Sequence, residues 1–173
     1  MDTRRVVILG LFVAIAGVLH AVEGWLPLPV PVPGAKLGLA NIVSLLAISM
    51  YGWRDALVVA VLRVVLGSLL GGTFLGPAFA MSMSGALISA VGMAFAYRYL
   101  RPMFSLVGIS IIGAVLHNLA QIAVAATLVA SPGLFWYLPY LLLFALPTGV
   151  ATGLTTIFFL SKLPRGDTEK FRK

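Results

Sequence analysis

The chain has no cysteine, which excludes disulfides and thiolate metal sites. Carboxylates are nearly as scarce. There are five in 173 residues, and only Glu23 and Asp55 lie in the body of the chain. The topology implied by the apolar runs puts these two on opposite faces of a membrane. That excludes a paired-carboxylate acid–base site and an Asp-rich site for Mg²⁺ and diphosphate. No GxxxxGK[ST] loop and no GxSxG elbow occurs. Two histidines without thiols make a poor metal site. No catalytic residue, metal ligand or cofactor is therefore expected, and the chain reads as a non-enzyme. Charge of either sign is sparse, at 10% of residues, where soluble domains carry about 25%.

What fills the chain is apolar: 61% of residues are hydrophobic and the mean hydropathy is +1.07. A span needs about 20 apolar residues, fewer where neighbours thin the membrane. The runs predict an all-α integral membrane protein with six transmembrane helices in one domain, 1–173. The spans fall at about 6–22, 37–51, 56–70, 78–97, 106–130 and 136–160, and residues 162–173 form a charged tail. The opening MDTRR and the run after it read as a retained first helix, because no cleavage site and polar domain follow. Trp53-Arg54-Asp55 reads as a tight polar turn between the second and third spans.

The net charge of +7 follows the membrane and implies no nucleic-acid partner. With six spans, Arg4, Arg5, Arg54, Arg98, Arg101, Lys162, Arg165, Lys170, Arg172 and Lys173 share one side, which the positive-inside rule assigns to the cytoplasm together with both termini. Lys36 alone lies opposite, and Arg63 lies within a span. Trp25, Trp53 and Trp136 fall near span ends, as an interfacial belt requires. The expected location is the cell membrane.

Pro27–Asn41, PLPVPVPGAKLGLAN, interrupts the apolar pattern. Prolines at 27, 29, 31 and 33 fix φ near −65° and remove N–H donors, so a stiff extended cover close to polyproline II is expected, with Lys36 at its end. Glu23 reads either as a latch to Lys36 or as ordinary rim solvation, close to His20 and Asn41. Arg63 is near mid-membrane, where an arginine costs about 2.5–3.5 kcal/mol or more. It serves either a ligand or a structural partner, such as Asp55 or carbonyls freed at Gly67. His117, Asn118 and Gln121 share a helix face by spacing, as a cavity lining or as interhelical hydrogen-bond glue. The substrate-binding candidates are Lys36, Asn41, Arg63, His117, Asn118 and Gln121. Ser82, Ser84 and Ser89 read as helix packing or bonds to backbone carbonyls. Gly10, Ala14, Gly17 and Ala21 form a small-residue stripe that serves bundle packing or a docked partner. A second stripe, Gly85, Ser89, Gly92 and Ala96, reads as packing within the bundle, and Gly149/Gly153 is a GxxxG pair.

PVPGAKLGLANIVSLLAI, RVVLGSLLGGTF and GAVLHNLAQ carry a resemblance. They look like the Gx transporter family, also labelled heptaprenyl diphosphate synthase component I, over roughly residues 5–162. That family is similar to the substrate-binding S-components of energy-coupling factor (ECF) transporters. The resemblance implies a six-helix bundle that binds a vitamin-like solute under the loop between helices one and two. It also implies docking on an ECF transmembrane subunit, with its ATPases, through a small-residue stripe on helix one. Here Gly10-x₃-Ala14 and Gly17-x₃-Ala21 occupy that place. The synthase label implies association with a separate prenyl synthase, since this chain lacks the Asp-rich motifs. Two function classes follow. The first is a solute-binding subunit of an uptake transporter for a small anionic or prenyl-related solute. The second is a non-catalytic membrane subunit of a prenyl-lipid, quinone or flavin-linked redox pathway. The expected partners are a small-molecule or lipid-like solute, membrane lipid and ECF subunits.

Overall fold

The computed structural model describes residues 3–25 and 38–163, and every regular element among them is a helix. The helices are α1 (Thr3–Trp25), α2 (Asn41–Tyr51), α3 (Trp53–Leu70), α4 (Pro77–Phe95), α5 (Leu106–Leu128) and α6 (Leu138–Lys162). A π-helical turn, Ala96–Leu100, extends α4, and a 3₁₀ turn, Pro132–Tyr137, precedes α6. Four of these segments are long and apolar enough to cross a membrane: Thr3–Trp25, Pro77–Leu100, Leu106–Leu128 and Pro132–Lys162. The chain is thus an all-helical membrane protein. The proline-rich cover, Lys36 and the tail beyond residue 163 lie outside the described residues.

Local chemistry sets the helix ends. Gly52 adopts φ 93°, and its N–H closes α2 on the carbonyls of Ala47 and Ile48. A side chain is strained there, so glycine makes a one-residue corner. The polar turn expected at Trp53-Arg54-Asp55 is therefore not a turn. Those residues form the first turn of α3, where Asp55 meets the positive end of the helix dipole. Gly72 and Leu75, both at positive φ, break the chain after α3, and Pro77 opens α4 as its first residue. Ser105 caps α5 by accepting from the Gly108 N–H at 3.3 Å.

The long helices pack in the sequence α1–α3–α4–α5–α6, and the short α2 touches all five. Nine of its eleven residues are buried. The outer faces carry Leu11, Ile15, Val18, Leu62, Ile88, Leu143 and Phe158, all exposed as lipid contact requires. One core cluster joins Leu9 of α1, Tyr51 of α2, Leu106 of α5 and Leu160 of α6. This is the end where Arg5 of α1 pairs with Asp55 of α3 and stacks 5.7 Å over the Tyr51 ring.

Without a hydrophobic drive between helices in lipid, close approach depends on small residues. A Cβ at Gly149 would fall 2.7 Å from the Ile111 Cα, and one at Gly153 would fall 2.5 Å from the Val107 Cα. The GxxxG pair thus lets α6 touch the backbone of α5. On α4, Gly92 meets Leu116 and Ser89 faces Gly113, so the second small-residue stripe packs on α5 as expected.

Candidate functional site

The first anchor of the site is Glu23, near the end of α1 and 2% exposed. Its carboxylate accepts the N–H of Gly38 and, at 3.3 Å, that of Leu39. These donors lie just before α2, where a helix leaves N–H groups without intrahelical partners and favours negative charge. Rim solvation of Glu23 is therefore corrected to a buried structural role. Lys36, the partner expected for a latch, lies outside the described residues. Gly38 has φ 83°, and a Cβ there would come within 2.8 Å of the Asn41 Nδ2.

Asn41 opens α2 and turns its Oδ1 toward α3, where it accepts from an Arg63 guanidinium nitrogen at 2.7 Å. Arg63 is 1% exposed, and Glu23 is the carboxylate that acts on it electrostatically. The structural partner expected for it, Asp55, is instead taken by Arg5 at the other end of the bundle. The cation therefore joins α3 to the start of α2 under the end of α1. Two donors of this pair, Arg63 Nε and Asn41 Nδ2, have no hydrogen-bond partner among the described residues.

His117 completes the cluster from α5. Its ring lies between two glycines: a Cβ at Gly38 would be 3.3 Å from Cδ2, and a Cβ at Gly85 of α4 would be 2.9 Å from Nδ1. Gln121 lies one turn further on, its Cγ 3.1 Å from the same Gly85 position. Asn118 does not join them. Its Nδ2 donates to the Leu141 carbonyl of α6 at 2.7 Å. Adjacent helical residues point about 100° apart, so 117 and 118 face different neighbours. The expected trio is therefore one bond to α6 and a His117–Gln121 pair toward α4. Asn118→Ala is expected to lower stability by about 0.6–1.7 kcal/mol, from the average to the largest value measured for interhelical bonds in a membrane protein. A thermal unfolding shift in detergent would register it.

The structure thus brings Asn41, Arg63, His117 and Gln121 together and adds Glu23, Gly38 and Gly85. Lys36 lies outside the described residues. Glu23 was recoverable in principle, as the body carboxylate left for the one intramembrane cation once Asp55 is placed at the opposite face. His20 packs against Gly67, where a Cβ would fall 2.5 Å from its Cδ2, so Gly67 provides space for a ring on α1. Ser84 back-bonds to the Met81 carbonyl at 2.9 Å, as expected for a serine in a span.

The first small-residue stripe divides in two. Gly17 and Ala21 are buried, and a Cβ at Gly17 would lie 3.3 Å from the Leu66 Cβ of α3. Gly10 and Ala14 are exposed, with nothing within 4 Å of the Gly10 position. Of the stripe, Gly10 and Ala14 are the pair open to a docked partner.

The family model described as heptaprenyl diphosphate synthase component I matches residues 12–159. The chain belongs to this family. No match appears among curated proteins or among solved structures. The component I match spans the whole cluster from Glu23 to Gln121, and it also includes Ala14, Gly17 and Ala21.

Proposed function

We propose that this chain is a non-catalytic membrane subunit that works beside a separate prenyl diphosphate synthase. It crosses the membrane six times and keeps both termini in the cytoplasm. The observation that carries this reading is the commitment of both body carboxylates. Glu23 is held by the N–H groups before α2, and Asp55 by Arg5. Prenyl transfer needs divalent cations held by carboxylates against a diphosphate, and neither group is free to supply one. The catalytic residues then belong to a partner, in keeping with the family description.

The test is an assay with labelled isopentenyl diphosphate and an allylic diphosphate. The purified chain alone is expected to give no product and to co-purify with a soluble synthase subunit from its own cell. Product formed by the chain alone would overturn the proposal.

A second reading is a solute-binding subunit of an uptake transporter, supported by the buried cluster. Asn41, Arg63, His117 and Gln121 surround the start of α2, directly after the proline-rich segment. The unpartnered donors on Arg63 and Asn41 would suit an anionic solute. Lys36 would add a cation from that segment, and Asn118 would brace α5 on α6. Gly10 and Ala14 would meet an ECF transmembrane subunit. This reading predicts that one small anion raises the unfolding temperature of the wild type and that Arg63→Ala abolishes the shift. A screen of vitamins and small carboxylates that gives no selective shift would remove it.

A further inference from the structure

A cavity of about 930 Å³ opens at the cation-bearing end of the bundle, far along α2 and α3 from the buried cluster. Its walls are the Gly52 corner with Trp53 and Leu57 on one side, and Val91, Phe95 and the π-helical turn on the other. Val91, Phe95, Tyr99 and Trp53 are each more than half exposed, so the groove opens sideways from the bundle, where acyl chains would lie. Tyr51 is buried in its floor. The polar part of the groove is cationic. Arg98 lines it and stacks 5.6 Å over the Tyr99 ring, and Arg54 stacks 5.3 Å over the wall residue Trp53. Arg101 covers Tyr97 in the same way at 5.3 Å.

The aromatic faces hold these guanidiniums at the rim. Their N–H edges remain available for an anion, and a planar guanidinium suits a phosphate in two-point contact. Among the described residues no carboxylate lines the groove, and Asp55, next to Arg54, is taken by Arg5. The Ser49 hydroxyl in its wall donates to the Leu45 carbonyl at 2.9 Å, and the arginines supply the charge of the groove. The π turn carries Tyr97, Arg98 and Tyr99, and π-helical turns recur at functional sites.

We propose that this groove is a binding site for an anionic phospholipid of the leaflet at the cation-bearing end. The phosphate lies between Arg98 and Arg54, and an acyl chain runs along Leu57, Val91 and Phe95. The inference is independent of both functional readings. Its basis is charge complementarity joined to an apolar slot open to the bilayer.

The experiment is lipid binding to the detergent-purified full chain, read by native mass spectrometry and by thermal shift. The probes are phosphatidylglycerol, phosphatidylcholine, inorganic pyrophosphate and farnesyl diphosphate. Phosphatidylglycerol is expected to bind more tightly than phosphatidylcholine. Arg98→Gln is expected to weaken it about fivefold and Arg54→Gln/Arg98→Gln about twenty-five-fold, at one basic residue's worth of anionic-lipid attraction each. Both arginines are exposed, so the variants keep the fold. Lys162→Gln, at the same end but outside the groove, is expected to leave binding unchanged. An equal loss with Lys162→Gln would reduce the site to general surface charge and overturn the proposal. So would pyrophosphate competing at equal concentration, which would mark a soluble-anion site. Farnesyl diphosphate displacing phosphatidylglycerol at a tenfold lower concentration would reassign the groove to an isoprenoid and equally overturn it.

Discussion

Glu23→Ala is expected to remove about 3–5 kcal/mol of stability, the usual loss when a buried charge is left without its counter-charge. Glu23 is 2% exposed, Arg63 is 1% exposed, and among the described carboxylates Glu23 is the one that acts on that arginine. The substitution also strips an acceptor from the N–H groups of Gly38 and Leu39. Glu23→Gln separates the two contributions, because its amide oxygen still accepts while its charge is gone. Adding Arg63→Met should then recover most of the loss, because removing both charges takes away the uncompensated one. A double-mutant cycle on unfolding midpoints in detergent reads this directly. Additive losses in the double variant would mean that Glu23 acts only through the backbone and not through Arg63.

Gly153→Leu is expected to be about as damaging for a different reason. The Cβ alone would fall 2.5 Å from the Val107 Cα, and backbone cannot rotate aside as a side chain can. Even Gly153→Ala should cost about 1–3 kcal/mol by forcing α5 and α6 apart. Gly10→Ala is the matched control. Nothing lies within 4 Å of its Cβ position, so stability should hold or rise slightly, as alanine is the better helix former. If Gly153→Ala unfolds at the wild-type temperature, the tight α5–α6 contact does not exist in solution.

The helices were legible in hydropathy, and most of their ends in Gly, Pro and Ser. The corner before α3 was not. Arg54 and Asp55 look like a loop, yet a first helical turn favours an aspartate, and Gly52 makes the corner alone. Partners were less legible still. Asp55 finds Arg5, fifty residues away, and no local rule points there. His117, Asn118 and Gln121 look like one group in sequence, but their partners on α4 and α6 divide them. The stripe from Gly10 to Ala21 has one spacing and two fates. Small residues permit contact without specifying which neighbour supplies it, and α3 reaches only the second half. Arg63 and Asn41 were visible as polar groups in apolar runs. Their mutual bond was not, since it depends on where α2 begins.

The central position of α2 bears on how the protein is made. Eleven residues of α-helix measure about 16 Å, roughly half the hydrocarbon thickness of a bilayer. A segment that short, leaving the translocation channel, cannot hold a membrane-spanning position by its own partitioning. Nine of its residues become buried only against the other five helices, of which α3, α4, α5 and α6 are synthesised after it. α2 therefore reaches its place late, once α6 has emerged. Until then the arginine of α3 lacks its Asn41 partner. Nascent chains stalled after α4 should leave α2 open to labelling from water, and chains stalled after α6 should protect it.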